Sequence, residues 1–165
     1  MPTPDVHEAL RQLFSELTEG VAEGGGAYIL NSGDVGLLRS LDKLSASDAS
    51  QASEGGATIA AHTQHVRYGL SLMNRWATEG GNPFANAKWD EAWKLSAVTE
   101  AQWEEIRRGL RDESQRWLGA LESPRDTNAP ELNGMIASIA HLAYHMGAIR
   151  QIARRARGPK DGTFA

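Results

Sequence analysis

The sequence predicts an all-α protein, a four-helix bundle, and three observations carry that expectation. Four long segments repeat their apolar residues at helical spacing. No segment alternates polar and apolar residues between turn signals as a half-buried strand does. The 165 residues show no internal repeat and no dividing linker, so one domain over 1–157 is expected, with a flexible tail over 158–165.

Helix one is expected over about residues 4–21, where Val6, Leu10, Leu13, Phe14, Leu17 and Val21 fall on one face and Pro4 suits the first turn. Gly24-Gly25-Gly26 stops it as a plain turn, since no strand-loop-helix context of a phosphate loop surrounds it. Val35, Leu37, Leu38, Leu41 and Leu44 then suggest one short extra helix inside a long connection that crosses over the bundle. Helix two runs from Ala57 to Glu79 with Ile59, His62, Val66, Leu70, Met73 and Trp76 on or beside one face, and Gly80-Gly81-Asn82-Pro83 ends it. Helix three opens at Thr99 with the capping box Thr99-Glu100-Ala101-Gln102 and carries Trp103, Ile106, Leu110, Trp117 and Leu121 toward Pro124. Helix four begins near Pro130, bears Met135, Ile139, Leu142, Met146, Ile149 and Ala153, and frays into Arg154-Arg155-Ala156-Arg157-Gly158-Pro159.

Composition excludes whole classes of chemistry. With no Cys there is no disulfide framework, thiolate zinc finger, iron–sulfur cluster or cysteine nucleophile, so a metal must be held by the five His or by carboxylates. The charge balance, 17 Lys and Arg against 21 Asp and Glu, gives no electrostatic reason to bind nucleic acid or an anionic membrane surface. No apolar run approaches the roughly 18–20 residues needed to cross a bilayer, and the first residues lack the basic start and apolar stretch of a signal peptide. A cytoplasmic location is expected.

Four of the five His lie on two helices, as His62/His65 and His141/His145. Positions i and i+4 stack on one helix face, so the rings of His141 and His145 can converge on one ion. Around them runs a flank of small residues, Gly134, Ser138 and Ala148, and helix two answers with Thr58, His62, His65 and Gly69, which suggests a pocket between helices two and four. Three His with open positions is a usual catalytic zinc arrangement, whereas four protein ligands close a structural site. His62 and His65 both have the spacing to point inward, one of them being enough. His7, near the chain start, is read as solvated.

These residues resemble the DinB-like superfamily of four-helix-bundle metalloenzymes. Residues Ala57 to Val66 are similar to its helix-two signature, and His141-Leu142-Ala143-Tyr144-His145-Met146-Gly147 to that of helix four; residues 26–31, 34–38 and the pair Trp89 and Trp93 resemble one branch of it. The resemblance implies a divalent metal, zinc or nickel, held by His65, His141 and His145. It also implies a small-molecule substrate, with thiol transfer or hydrolysis by an activated thiol or water as the chemistry, low-molecular-weight thiols being used by assigned members. Lacking Cys, the protein would receive such a thiol from outside. Ala148 stands where many relatives carry Gln, so that polar support is absent. A homodimer is a further expectation, and a non-catalytic, stress-related metal- or ligand-binding bundle is the alternative to an enzyme.

For catalytic acid–base work the sequence offers His62 and Glu113, which breaks the apolar seam of helix three; a supporting or merely polar role for His62 and a solvent-edge place for Glu113 are the readings preferred. Tyr28, Asn31 and Asp34 are candidates for a pocket mouth, or for capping a turn. Phe84, Trp89 and Trp93 are candidates for a lid or apolar wall, with core packing preferred for at least two of them. Arg150, Arg154, Arg155, Arg157 and Lys160 read as a solvated basic helix end.

Overall fold

A computed structural model describes residues 4–123 and 127–159. Among these the chain is helical throughout its regular structure: α1 (Pro4–Glu19), α2 (Gly36–Leu41), α3 (Ala46–Ala49), α4 (Ile59–Glu79), α5 (Glu100–Glu122) and α6 (Ala129–Ile152), with short 3₁₀ turns at Ala92–Lys94 and Arg154–Ala156. The one β-type contact among the described residues is an isolated bridge between Ala52 and Thr58. No helix among the described residues is long and apolar enough to cross a membrane.

Side-chain oxygens set the starts of the long helices. Thr58 accepts from the Ala61 amide at the head of α4, Thr99 and Gln102 form the expected capping box on α5, and Asn128 forms another with Glu131 on α6. The connection ahead of α4 holds two short helices rather than one, because Ser45 and Asp48 build a capping box of their own for α3.

The four long helices share one core. α1 packs on α5 and α6, and α4 packs on the same two, so α1 stands opposite α4. Directions follow from the pairs that meet. Arg67 reaches Glu105 and Asn74 reaches Glu113, so α4 and α5 are parallel, whereas His62 meets His145 and Gly134 faces Met73, so α6 runs against α4. Residues 80–99 must therefore return along α4, a path of about 30 Å for a helix of this length. Residues 20–58, expected to cross over the bundle, cross only its end, where α2 rests on α1 and α5 and α3 on α4 and α5. Trp103 and Trp117 fill the centre, and their indole N–H groups donate to the Leu44 carbonyl (2.8 Å) and to Ser138 Oγ (2.9 Å).

One end is held by polar groups that the sequence reading placed elsewhere. Arg150 is no solvated residue: its guanidinium makes two 2.8 Å bonds to Asp34, with 8% and 0% of the two side chains exposed. Burial raises the Asp34 carboxyl pKa, but Arg150 and the Gly36 amide outweigh it and hold the group below its usual range. Gly158 lies so close that a Cβ there would sit 1.9 Å from Asp34 Oδ2, which pins residue 158 to the body where a flexible tail was expected. Lys160 and the rest of that tail lie outside the described residues. Nearby, a Cβ on Gly36 (φ +76) would meet the Gly20 nitrogen at 2.4 Å, so the end of α1 and the start of α2 cross backbone to backbone. Glu16, also buried, accepts from the amides of Tyr28, Ile29 and Leu30. His7 is 4% exposed, not solvated.

Truncating Asp34 strands a buried guanidinium. Asp34→Ala is expected to lose about 3–5 kcal/mol in urea unfolding. The paired change Asp34→Leu with Arg150→Met is expected to lose clearly less than the single one.

Candidate metal centre

Because α4 and α6 are antiparallel neighbours, their two His pairs interleave. His65 Nε2 lies 3.0 Å from His141 Nε2, and His145 Nε2 lies 3.0 Å from the same atom. One nitrogen from each of His65, His141 and His145 falls within 4.8 Å of the others, and among the described residues this trio forms a group that could hold a metal ion. Tetrahedral zinc, with bonds of about 2.0–2.1 Å, spaces its ligand nitrogens roughly 3.3 Å apart. The three nitrogens are thus gathered close to the spacing such an ion requires.

His62 is left out of the trio. Lying one turn earlier on α4, it meets the far side of His145, Nδ1 to Nδ1 at 2.9 Å. Gly69, one turn after His65, lies beside the His141 ring and the Trp89 indole, which a Cβ there would meet at 3.5 Å and 3.7 Å, ordinary contact distances.

Electrostatics favour neutral rings. Burial depresses the pKa of all four, and the neighbouring imidazoles depress two of them further, His65 to about 4 and His145 to about 3. The Trp89 backbone, close to His65, acts weakly the other way. At neutral pH each ring keeps a lone pair, the form in which imidazole binds metal.

Residues 80–99 lay aromatic rings over this cluster. Trp93 stacks on His65 with centroids 4.4 Å apart and meets His62 edge-on at 5.6 Å. Trp89 lies 5.5 Å from His65 and edge-on to Tyr68, whose hydroxyl accepts from the Lys88 amide. Both tryptophans remain surface residues, 36% and 41% exposed, so core packing describes only Phe84, which is packed against the core and parallel to Trp89.

Glu113 is not part of the centre. Its carboxylate accepts from Asn74 Nδ2 at 2.7 Å and pairs with Arg116, on the side of α4 that faces α5. Asn74 is nine residues past His65, about 13 Å along the helix. Nor does Glu113 sit at the solvent edge, since only 15% of its side chain is exposed; a buried Asn74 explains why a carboxylate interrupts the apolar seam. Tyr28, Asn31 and Asp34 open no pocket onto the His cluster. Tyr28 binds Glu16 through its amide with its ring exposed, the Asn31 carbonyl closes a turn onto the Asp34 amide, and Asp34 serves Arg150.

The depressed pKa values fix a sign for acid lability. An unfolded imidazole takes up its proton near pH 6.5, whereas the folded His65 and His145 do so only near 4 and 3, so the unfolded state binds more protons in between. Metal-free protein is therefore expected to lose thermal stability steadily as the pH falls from about 6.5 toward 4, and His145→Gln to flatten that slope in a pH series of melting curves. No protein-family model, no curated protein and no solved structure matches this chain, and the character of the centre rests on its own geometry.

Proposed function

We propose that this protein is a metal-dependent enzyme of the DinB-like kind: a four-helix bundle, acting in the cytoplasm, that holds zinc or nickel with His65, His141 and His145 and acts on a small molecule by thiol transfer or hydrolysis. The observation that carries this reading is the meeting of three imidazole nitrogens from α4 and α6 at 3.0 Å contacts. When bound, a divalent ion there supplies a Lewis acid that lowers the pKa of a thiol or of water. Three neutral rings bring no negative charge of their own, which favours that chemistry over a charge-neutral structural site. Trp89 and Trp93 supply an apolar wall that keeps bulk water from one side of the rings. With no Cys in the chain, a thiol used here arrives as substrate.

A second reading, a metal holder without turnover, is favoured by the place of Glu113, which binds Asn74 and Arg116 away from the trio and so supplies no general base there. Elemental analysis separates the outcomes. Protein purified without added metal is expected to carry close to one divalent ion per chain, and His65→Ala, His141→Ala and His145→Ala each to lose it; wild-type protein free of divalent metal overturns both readings. X-ray absorption that counts three imidazoles and one exchangeable ligand supports turnover, while a fourth protein ligand supports the holder.

The expected homodimer finds support on α6. Its outer face, through Ile136, Ala137, Ala140, Tyr144, Gly147 and Gln151, is exposed and carries no charge. Ile136 and Tyr144 lie four residues to either side of Ala140, so two copies crossing antiparallel at Ala140 set each Ile136 against the other copy's Tyr144. Sedimentation equilibrium is expected to show a dimer that Ala140→Glu converts to a folded monomer; a monomeric wild type overturns the pairing.

A further inference from the structure

We infer that His62 is a positioning residue, holding His145 in the one tautomer that can ligate an ion, an assignment that rests on the metal reading above. A neutral imidazole carries one proton, so one ring nitrogen donates and the other accepts. His145 uses both edges: Nε2 faces His141 Nε2 at 3.0 Å, and Nδ1 faces His62 Nδ1 at 2.9 Å. A single proton lies between the two Nδ1 atoms, which leaves two arrangements.

If the proton sits on His62, the His145 Nδ1 accepts it and His145 Nε2 carries a hydrogen pointed into the trio, where it excludes an ion. If it sits on His145, that N–H donates to His62 and the His145 Nε2 lone pair faces His65 and His141. Only the second arrangement makes a three-nitrogen centre, and it obliges His62 to keep its own proton on Nε2. A partner on the outer nitrogen is the usual means by which a ligating His is oriented, and its loss typically weakens metal binding 10–100-fold.

The setting suits the task. His145 is 3% exposed, so water is a poor substitute for a protein acceptor at its Nδ1. His62 is itself held by Trp93, whose indole meets it edge-on at 5.6 Å and lies 5.9 Å from the His145 ring. Its place on α4, three residues before His65, puts it level with the outer edge of His145 rather than with the centre of the trio. His65 shows the contrast, as its Nδ1 makes no hydrogen bond of good geometry.

The test compares His62→Leu, which removes the acceptor, with His62→Asn, whose side-chain carbonyl takes the place of Nδ1. Zinc affinity is measured by competition with a chromogenic chelator. His62→Leu is expected to bind 10–100-fold more weakly than wild type, and His62→Asn close to wild type. Long-range ¹H–¹⁵N spectra of chelator-treated protein are expected to show His145 as the Nδ1–H tautomer in wild type and His62→Asn, and a mixture in His62→Leu. Equal zinc affinity in wild type and His62→Leu, or an Nε2–H His145 in wild type, overturns the assignment. Should the wild type bind no zinc, the metal reading fails, while the tautomer spectra still decide the role of His62.

Discussion

α4 and α5 run in the same direction, and two parallel neighbours cannot be joined by a short turn. The chain has to travel back the length of α4 before α5 can start, so residues 80–99 become a strap over the surface of α4. Thr58 at the head of α4 reaches the Leu95 carbonyl and so fastens the strap where it arrives. With α5 and α6 on its two flanks, α4 leaves the strap one path, and that path runs past His62 and His65. The indoles of Trp89 and Trp93 come to lie on those rings as a result of connectivity, not of helix packing.

Two buried polar clusters in this protein are built on different physics. Asp34 and Arg150 are complementary: two guanidinium bonds, a backbone amide and the close backbone of Gly158 surround the carboxylate with partners. The four imidazoles are alike: burial lowers the proton affinity of all four, and the neighbouring rings lower that of His65 and His145 further. Like groups brought together at 3.0 Å contacts repel once protonated and satisfy one another poorly when neutral, since a shared His141 Nε2 has one proton or one lone pair for two partners. A cation at the meeting point of His65, His141 and His145 would resolve that conflict, because those three rings could then each direct a lone pair at it.

Helix periodicity, caps and the i, i+4 His pair are local properties, and they were legible in the sequence: the Thr99/Gln102 capping box and the convergence of His141 with His145 are both present. The choice of His65 over His62 was not a matter of spacing, since both face α6; it came from the resemblance, and the geometry places His65 in the trio. Long-range pairing escaped. Asp34 and Arg150 are 116 residues apart, and neither residue's surroundings announce the other. Glu113 looked like a site residue because it broke an apolar seam, when its partner Asn74 breaks the facing seam on α4. A polar interruption on one helix carries meaning only beside the helix it meets. Trp89 and Trp93 sit in irregular backbone, where no period tells an inward ring from an outward one.

The aim of the His pair on α6 depends on groups that never touch it. A catalytic or metal-binding constellation tolerates roughly 10–20° of misorientation, and a helix with apolar residues around its whole circumference has little in its pattern to resist rotation about its own axis. Two directional contacts supply that resistance. Ser138 accepts the Trp117 indole N–H at the centre of the core, and Arg150 locks onto Asp34 one end further on. Ser138 precedes His141 by three residues and Arg150 follows His145 by five, so the anchors bracket the pair. Apolar packing alone permits sliding between nearly equivalent arrangements, whereas a hydrogen bond and a bidentate ion pair do not. The buried ion pair thus does more than close one end of the helices: with the Ser138–Trp117 bond it opposes rotation of the helix that carries His141 and His145.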